Sequence, residues 1–291
     1  DIFIYIFTNS NYNNRDNTDF MSKMLTGIGT RKCFLIYRVY PSFSDDEVRE
    51  HARTVADRVV VSIFVNPTQF GPNEDYATYP RTLEMDRQAL MDADTDLLFA
   101  PAVQEVYAGD LENATRVEVP GLSDILCGEF RPGFFSGIAT VVTRLFNMVQ
   151  PQVAVFGEKD YQQLVLIRRM VHDLCMPIEV QGVATEREPD GLAMSSRNGY
   201  LGVAERQQAP DLYRVLCGVR DAVEAGARDY PQLEQAAMAA LTTAGFRPDY
   251  VSIRRRVDLA LPDPGDTHLI ALAAATLGTA RLIDNIDISI S

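Results

Sequence analysis

Positive charge is what this chain has too little of. It carries 27 lysines and arginines against 40 aspartates and glutamates, a formal net charge of −13. A nucleic-acid backbone needs a positive surface, so nucleic acid is excluded as a bulk partner. Paired cysteines are also missing. Cys33, Cys127, Cys175 and Cys217 are widely spaced and form no CxxC motif, which fits reduced cytosolic thiols better than a disulfide frame or a zinc site. No apolar run reaches the length of a membrane span. The opening Ile2-Phe-Ile-Tyr-Ile-Phe7 is short, follows an aspartate and lacks a basic flank, so it does not read as a signal peptide. There is no internal repeat. The expectation is a cytoplasmic protein with no membrane partner.

What is there has the balance of a soluble globular protein. Of 291 residues, 46% are apolar and 23% charged, enough for one large domain or a large and a small one. Composition shifts near residue 55, from a segment rich in Asn, Ile, Tyr, Phe and Ser to one dominated by Ala, Val, Leu, Arg, Asp and Gly. A junction, an extension or a divergent N-terminus accounts for that shift. Residues 1–30 are read as divergent, with 8–30 as loop or poorly ordered chain.

From residue 33 the pattern is regular. Cys33–Tyr37 reads as a buried strand, and Ser44-Asp-Asp-Glu47 as a capping box opening a helix with Val48, Ala52 and Val55 on one face. Arg58–Val65 is a strand, Asn66–Gln69 a turn, and Arg81–Asp92 a helix; Asp96–Ala100 is a further strand. Ile138–Val149 is an apolar helix, Gln152–Phe156 a strand, Leu164–Leu174 a helix and Ile178–Val183 a strand. Apolar strands alternating with helices predict a parallel sheet covered on both faces, with ligands beyond the strands' C-terminal ends. Beyond residue 185, Glu205–Ala225 and Tyr230–Ala244 read as helices, and Asp249–Arg254, His268–Ala273 and Ala280–Asp284 as strands. The fold class is therefore α/β: a main domain over 31–185 and a smaller C-terminal α/β domain over 186–291.

Two stretches carry chemistry. Val155-Phe-Gly-Glu-Lys-Asp-Tyr-Gln-Gln-Leu164 is a strand ending in a glycine turn that opens a helix with Lys159 in its first turn. Gly191-Leu-Ala-Met-Ser-Ser-Arg-Asn198 is a polar loop with two hydroxyls and a guanidinium. Together they offer a triphosphate a flexible turn, a helix N-terminus, two cations and small donors. Taken singly, Lys159 reads as a solvated charge, Ser195-Ser196 as a cap or loop, and Gln162-Gln163 as a polar surface pair. Tyr76, Tyr79 and the residues around Ile138 read as packing, and Glu74-Asp75 as a turn and cap. The joint occurrence of the two stretches is what favours a site.

From about Ala56 onward the chain resembles the pantoate–β-alanine ligase family. The matching pieces are Val65-Asn-Pro-Thr-Gln-Phe-Gly-Pro-Asn-Glu-Asp75, Tyr79-Pro-Arg-Thr82, Leu126-Cys-Gly128, Arg131-Pro-Gly133, Phe156–Leu164, Asp190–Asn198 and Arg281-Leu-Ile-Asp-Asn285. The resemblance implies a Rossmann-like doubly wound sheet of nucleotidyltransferase type, and a two-step ligase. In it, pantoate attacks ATP to give pantoyl adenylate, with Mg²⁺ on the phosphates, and β-alanine then displaces AMP. Carried over by position, Gly157, Glu158, Lys159, Asp160, Met194, Ser195, Ser196 and Arg197 would hold ATP. Lys159 and Arg197 would be catalytic, and Gln69, Gln163 and Asn66 would hold pantoate. No residue is assigned to a resident metal. A homodimer is implied in the same way.

One family feature is absent. The resemblance expects a His-x-Gly-His motif after the first strand, its second histidine acting as proton donor. Counted back from residue 56, the two histidine positions are Ser42 and Asp45, and the glycine positions are Val39 and Ser44. The only histidines are His51, His172 and His268, so no other register restores the motif. Phe134 and Glu186 also depart from the family pattern. The expectation is a ligase of impaired activity, with Asp45 at the proton-donor position. The alternative is a catalytically inactive homologue that binds pantoate or forms a dimer. An adenylate-forming enzyme for another carboxylate is a third reading, against which Gln69 and Gln163 count.

Overall fold

The computed structural model describes residues 2–3, 33–37, 58–70, 76, 83–92, 95–108, 111 and 113–290. The expected capping box and helix at 44–55, the positions Val39, Ser42, Ser44 and Asp45, and Glu74, Asp75 and Tyr79 lie outside the described residues, as does the segment 8–30. Two compact units are present. Unit 1 is Asp1–Ser123, Arg131–Gly157 and Leu166–Val183; unit 2 is Asp124–Phe130, Glu158–Val165 and Ala184–Ser291.

Unit 1 is built on a sheet of β1 (Ile2–Phe3), β2 (Cys33–Tyr37), β3 (Arg58–Phe64), β4 (Leu97–Phe99), β5 (Val153–Gly157) and β6 (Glu179–Val183). Its parallel strands run in the order β4-β3-β2-β5-β6, and β1 lies antiparallel against the end of β3. The first parallel strand in sequence is thus in the middle, and the chain winds outward from it in both directions. Such an order creates a switch point between β2 and β5, whose register pairs Tyr37 with Phe156.

Its helices are α1 (Leu83–Asp92), α2 (Val103–Tyr107), α4 (Phe134–Val149) and the latter part of α5 (Tyr161–Asp173). Alternation along the strands supplies the two faces. Val59, Val61, Val153 and Val155 cluster with Leu90 of α1. Phe156 points the other way, its ring edge-on to Phe146 of α4 at 6.4 Å. Helix α4 buries Ile138, Val141 and Leu145 completely, each contributing about 1.5–3 kcal/mol over an exposed position. Gly133 precedes it at φ +83°, a left-handed conformation that glycine tolerates.

Unit 2 contains α3 (Cys127–Phe130), the start of α5, α6 (Val203–Gln208), α7 (Asp211–Glu224), α8 (Tyr230–Thr243) and the antiparallel sheet β7 (Arg247–Arg255), β8 (His268–Leu277) and β9 (Ala280–Ser289). Leu269, Ala271, Ala273 and Ala275 of β8 join Leu212, Leu216, Val219 and Val223 of α7 in one core. The single helix expected over 205–225 is two helices. Pro210 brings no N–H, so the first helix stops at Gln208 and the second restarts after the proline. Strands β8 and β9 are longer than their apolar segments suggested, because β9 alternates polar and apolar residues through Asp287. Among the described residues no helix is long and apolar enough to cross a membrane.

Candidate active site

Two turns leave the C-terminal edge of the parallel sheet. One follows β3, where Asn66 caps the 3-10 turn Pro67–Gln69. The other follows β5 at Gly157. The segment after β2, at the switch point, begins outside the described residues.

The first turn is organised by a fully buried amide. Asn66 Oδ1 accepts hydrogen bonds from the Thr68 amide (3.3 Å), the Thr68 hydroxyl (3.0 Å) and the Tyr107 hydroxyl (2.7 Å). Its Nδ2 donates to the carbonyl of Gly137 and to Oε1 of Gln69, both at 3.2 Å. The side chain of Asn66 is therefore fully committed within the protein. Gln69, 6% exposed, has its oxygen fixed by Asn66, and no described residue bonds its Nε2. Burial pushes the Tyr107 phenol above its usual range, so it stays protonated and able to donate. Arg131 Nη2 donates to the Gln69 carbonyl (3.3 Å), and its guanidinium lies 3.5 Å over the ring of Phe134, the residue that departs from the family pattern. The apolar reading of Tyr76 and Ile138 agrees with the structure: Tyr76 packs on Phe70 at 5.2 Å, and Ile138 is fully buried.

In unit 2, Lys159 sits in the 3-10 turn Glu158–Asp160, immediately before α5 rather than within its first turn. The helix itself starts at Tyr161, whose ring is buried and whose hydroxyl donates to the Arg256 carbonyl (3.0 Å). Lys159 Nζ lies 3.8 Å from Asp160 Oδ2, and Glu158 Oε1 lies 3.5 Å from Arg256 Nη2.

The two glutamines that follow are not a surface pair. Gln162 is 5% exposed, accepts from the Cys127 amide (3.1 Å) and donates to the Ile125 carbonyl (2.7 Å). Gln163 is 6% exposed, and no described residue makes a hydrogen bond to its side chain. One glutamine is consumed by the fold. The other is a buried amide that no described residue satisfies.

The loop at 184–198 also belongs to unit 2. Arg187 and Ala193 form an antiparallel bridge, and Met194 N donates to the Glu186 carbonyl (3.0 Å). Ser195 caps the 3-10 turn Ser196–Tyr200, its Oγ accepting from the Arg197 amide (3.3 Å). Ser196 Oγ is buried with no hydrogen-bond partner among the described residues. Arg187 forms a bidentate pair with Asp284 at 2.7 and 2.9 Å, and Asn285 Nδ2 donates to the carbonyls of Glu158 and Lys159, each at 2.9 Å. The described residues contain no cluster of three or more His, Cys, Asp or Glu able to hold a metal.

Sequence reasoning missed Tyr107, Gly137, Gln162 and Arg187. Tyr107 gave no local signal, because its partners Thr68 and Asn66 lie 39 and 41 residues away. Asp284 and Asn285 stood in a family-like motif without a stated role.

Known proteins share this architecture. Residues 47–287 match the family described as Pantoate-beta-alanine ligase. The segment with Ser42 and Asp45 precedes the matched span. A pantothenate synthetase from Thioalkalivibrio sulfidiphilus is 59% identical over 239 residues, covering 82% of this chain and 84% of that protein. The crystal structure of a pantothenate synthetase from Thermus thermophilus superposes with a TM-score of 0.84 at 45% identity, covering 91% of this chain and 96% of that one. A pantoate-beta-alanine ligase from Francisella tularensis, solved with beta-gamma ATP and beta-alanine, superposes at 0.76 with 30% identity, covering 95% of this chain and 96% of that one.

Proposed function

Because the chain belongs to the pantoate-beta-alanine ligase family and is a ligase joining pantoate to β-alanine, we propose that it does so through a pantoyl adenylate, at the cost of ATP. A pantoate carboxylate oxygen attacks the α-phosphorus of ATP. The new O–P bond forms as the bond to the β-phosphate bridge breaks, and pyrophosphate leaves. The β-alanine amine then attacks the acyl carbon; a C–N bond forms, the bond to AMP breaks, and the amine gives up a proton.

The observation that carries this reading is, in each unit separately, an amide that no described residue bonds: Gln69 Nε2 in unit 1 and Gln163 in unit 2. Gln69 and Gln163 are each 6% exposed, and no described residue bonds the Gln163 side chain or the Nε2 of Gln69. An amide in a largely buried side chain with no protein partner suits a ligand rich in hydroxyl and carboxylate groups. Pantoate has both groups. Asn66 orients Gln69 rather than offering a free group of its own.

On the nucleotide side, Gly157 gives the chain an exit from β5, and Lys159 with Arg197 supplies positive charge for the transferring phosphoryl group. Ser196 Oγ, buried and without a partner among the described residues, is a donor for a phosphate oxygen. Glu158, Asp160, Met194 and Ser195 complete the cradle. Glu158 and Asp160 already face Arg256 and Lys159, so they suit a site where Mg²⁺ enters as part of its complex with ATP. Bound with the nucleotide, such an ion would supply charge neutralisation for the leaving pyrophosphate.

Turnover in this chain is slowed at the proton-transfer step. Ser42 and Asp45 stand where the family resemblance expects histidines. Loss of a positioned proton donor lowers a rate by about 10²–10⁴. An aspartate in place of a phosphate-binding histidine would add up to a few kcal/mol of repulsion. The test is AMP release dependent on pantoate and β-alanine with Mg-ATP, run beside a Ser42→His, Asp45→His variant. Slow release that the variant accelerates is the expected result. Equal, fast release by both would remove the impairment, and no ATP binding at millimolar nucleotide would leave an inactive homologue.

A further inference from the structure

We propose that Arg187, Asp284 and Asn285 are positioning residues that set the Glu158–Asp160 turn and the 187–197 loop together, so that one strand tunes nucleotide affinity. The inference rests on the reading above, in which Lys159 and the segment 194–197 face ATP.

The 3-10 turn Glu158–Asp160 is only three residues long and precedes a helix, and its first two carbonyls take partners from elsewhere in unit 2. Asn285 provides them. Its single Nδ2 group reaches the carbonyls of both Glu158 and Lys159 at 2.9 Å, one from each hydrogen. These contacts span 127 and 126 residues of sequence, and they pin the backbone on both sides of the Lys159 Cα.

The neighbouring residue holds the other segment. Asp284 is 4% exposed and takes Arg187 in a bidentate pair. It also accepts from the backbone N–H of Asn285 at 2.8 Å. Arg187 uses the second hydrogens of Nη1 and Nη2 on the carbonyls of Gly191 (3.1 Å) and Asn285 (3.2 Å), and stacks 3.6 Å over the ring of Tyr213. Gly191 is where the loop reverses before Ala193–Ser196. Two adjacent residues of β9 thereby fix the lysine turn on one side and the serine–arginine loop on the other. A general structural role would not place both sets of contacts on segments of shared chemistry.

The test is calorimetric titration of the full chain with a non-hydrolysable ATP analogue and, separately, with pantoate. The proteins are the unmodified chain, Lys159→Ala, Asn285→Asp and Asn285→Ala. Asn285→Asp keeps the side-chain shape but turns a double donor into an acceptor facing two carbonyls; Asn285→Ala removes the contact without repulsion. The expected result is nucleotide affinity about tenfold weaker in Asn285→Asp and several-fold weaker in Asn285→Ala, with pantoate affinity within about twofold in both. Unchanged nucleotide affinity in both Asn285 variants, with binding lost in Lys159→Ala, would overturn the inference alone. Equal weakening of nucleotide and pantoate would also overturn it. An unmodified chain that binds no nucleotide, or a Lys159→Ala chain that binds it normally, would remove the reading beneath it.

Discussion

A Cβ atom placed on Gly137 would lie 2.6 Å from the carbonyl oxygen of Thr68. That distance is shorter than real side-chain contacts allow, and the obstacle is backbone on both sides. Helix α4 touches the Pro67–Gln69 turn because position 137 has no side chain. Gly137→Ala is expected to push the turn off the helix, stretch the Asn66–Gly137 hydrogen bond and move Gln69. A misplacement of this kind near a reacting group costs up to about 10² in rate, so kcat/KM for pantoate should fall by one to two decades. A fall of less than about twofold would mean the helix moves and the turn does not.

Gln162 and Gln163 make opposite predictions from adjacent positions. Gln162→Leu leaves the Cys127 amide and the Ile125 carbonyl without partners, and should destabilise the protein by about 1–3 kcal/mol. Gln163→Leu removes a buried amide that no described residue satisfies, so stability should hold or rise while the KM for pantoate climbs at least tenfold. Urea midpoints and steady-state kinetics on both variants check this. Loss of stability in Gln163→Leu would show that the amide serves the fold.

These adjacent glutamines also show where sequence stops informing. The strand–turn–helix units were legible, because apolar runs end at Asn66-Pro67 and Gly157, and both turns fall at the strand ends where ligands sit. The two stretches carrying Lys159 and Arg197 were legible for the same reason: their chemistry is local. The difference between Gln162 and Gln163 is one helical step, about 100°, and depends on what each side of α5 meets. Likewise Asp284 and Asn285 were visible as a motif, but their partners lie 97 and 127 residues away in sequence. The break between α6 and α7 at Pro210 lies inside the single helix expected over 205–225, because the helical period runs across the proline.

Arg187→Leu should produce a pH-dependent loss of stability. Burial pushes the Asp284 carboxyl above its ordinary value, and Arg187 opposes that rise. Without the guanidinium the carboxylate is buried and uncompensated, which costs about 3–5 kcal/mol. A carboxyl whose folded pKa is raised binds more protons folded than unfolded. The penalty is therefore present above the folded pKa and relieved as pH falls through it. The gap in unfolding free energy between variant and parent should be wide near about pH 8 and narrower near about pH 5. A gap that does not change with pH would assign the loss to packing on Tyr213 instead.

Tyr107→Phe tests how far Gln69 depends on its support. The phenol donates to Asn66 Oδ1 at 2.7 Å and lies 3.1 Å from the Thr68 hydroxyl. Removing it keeps the ring, which is almost fully buried, and leaves Asn66 Oδ1 with two donors from Thr68. The stability cost should be modest, about 0.5–1.5 kcal/mol. The functional effect should be selective, because Asn66 sets the Gln69 amide: KM for pantoate rises several-fold, and KM values for ATP and β-alanine stay within about twofold. If all three KM values shift together, Tyr107 acts on the whole unit and not through Gln69.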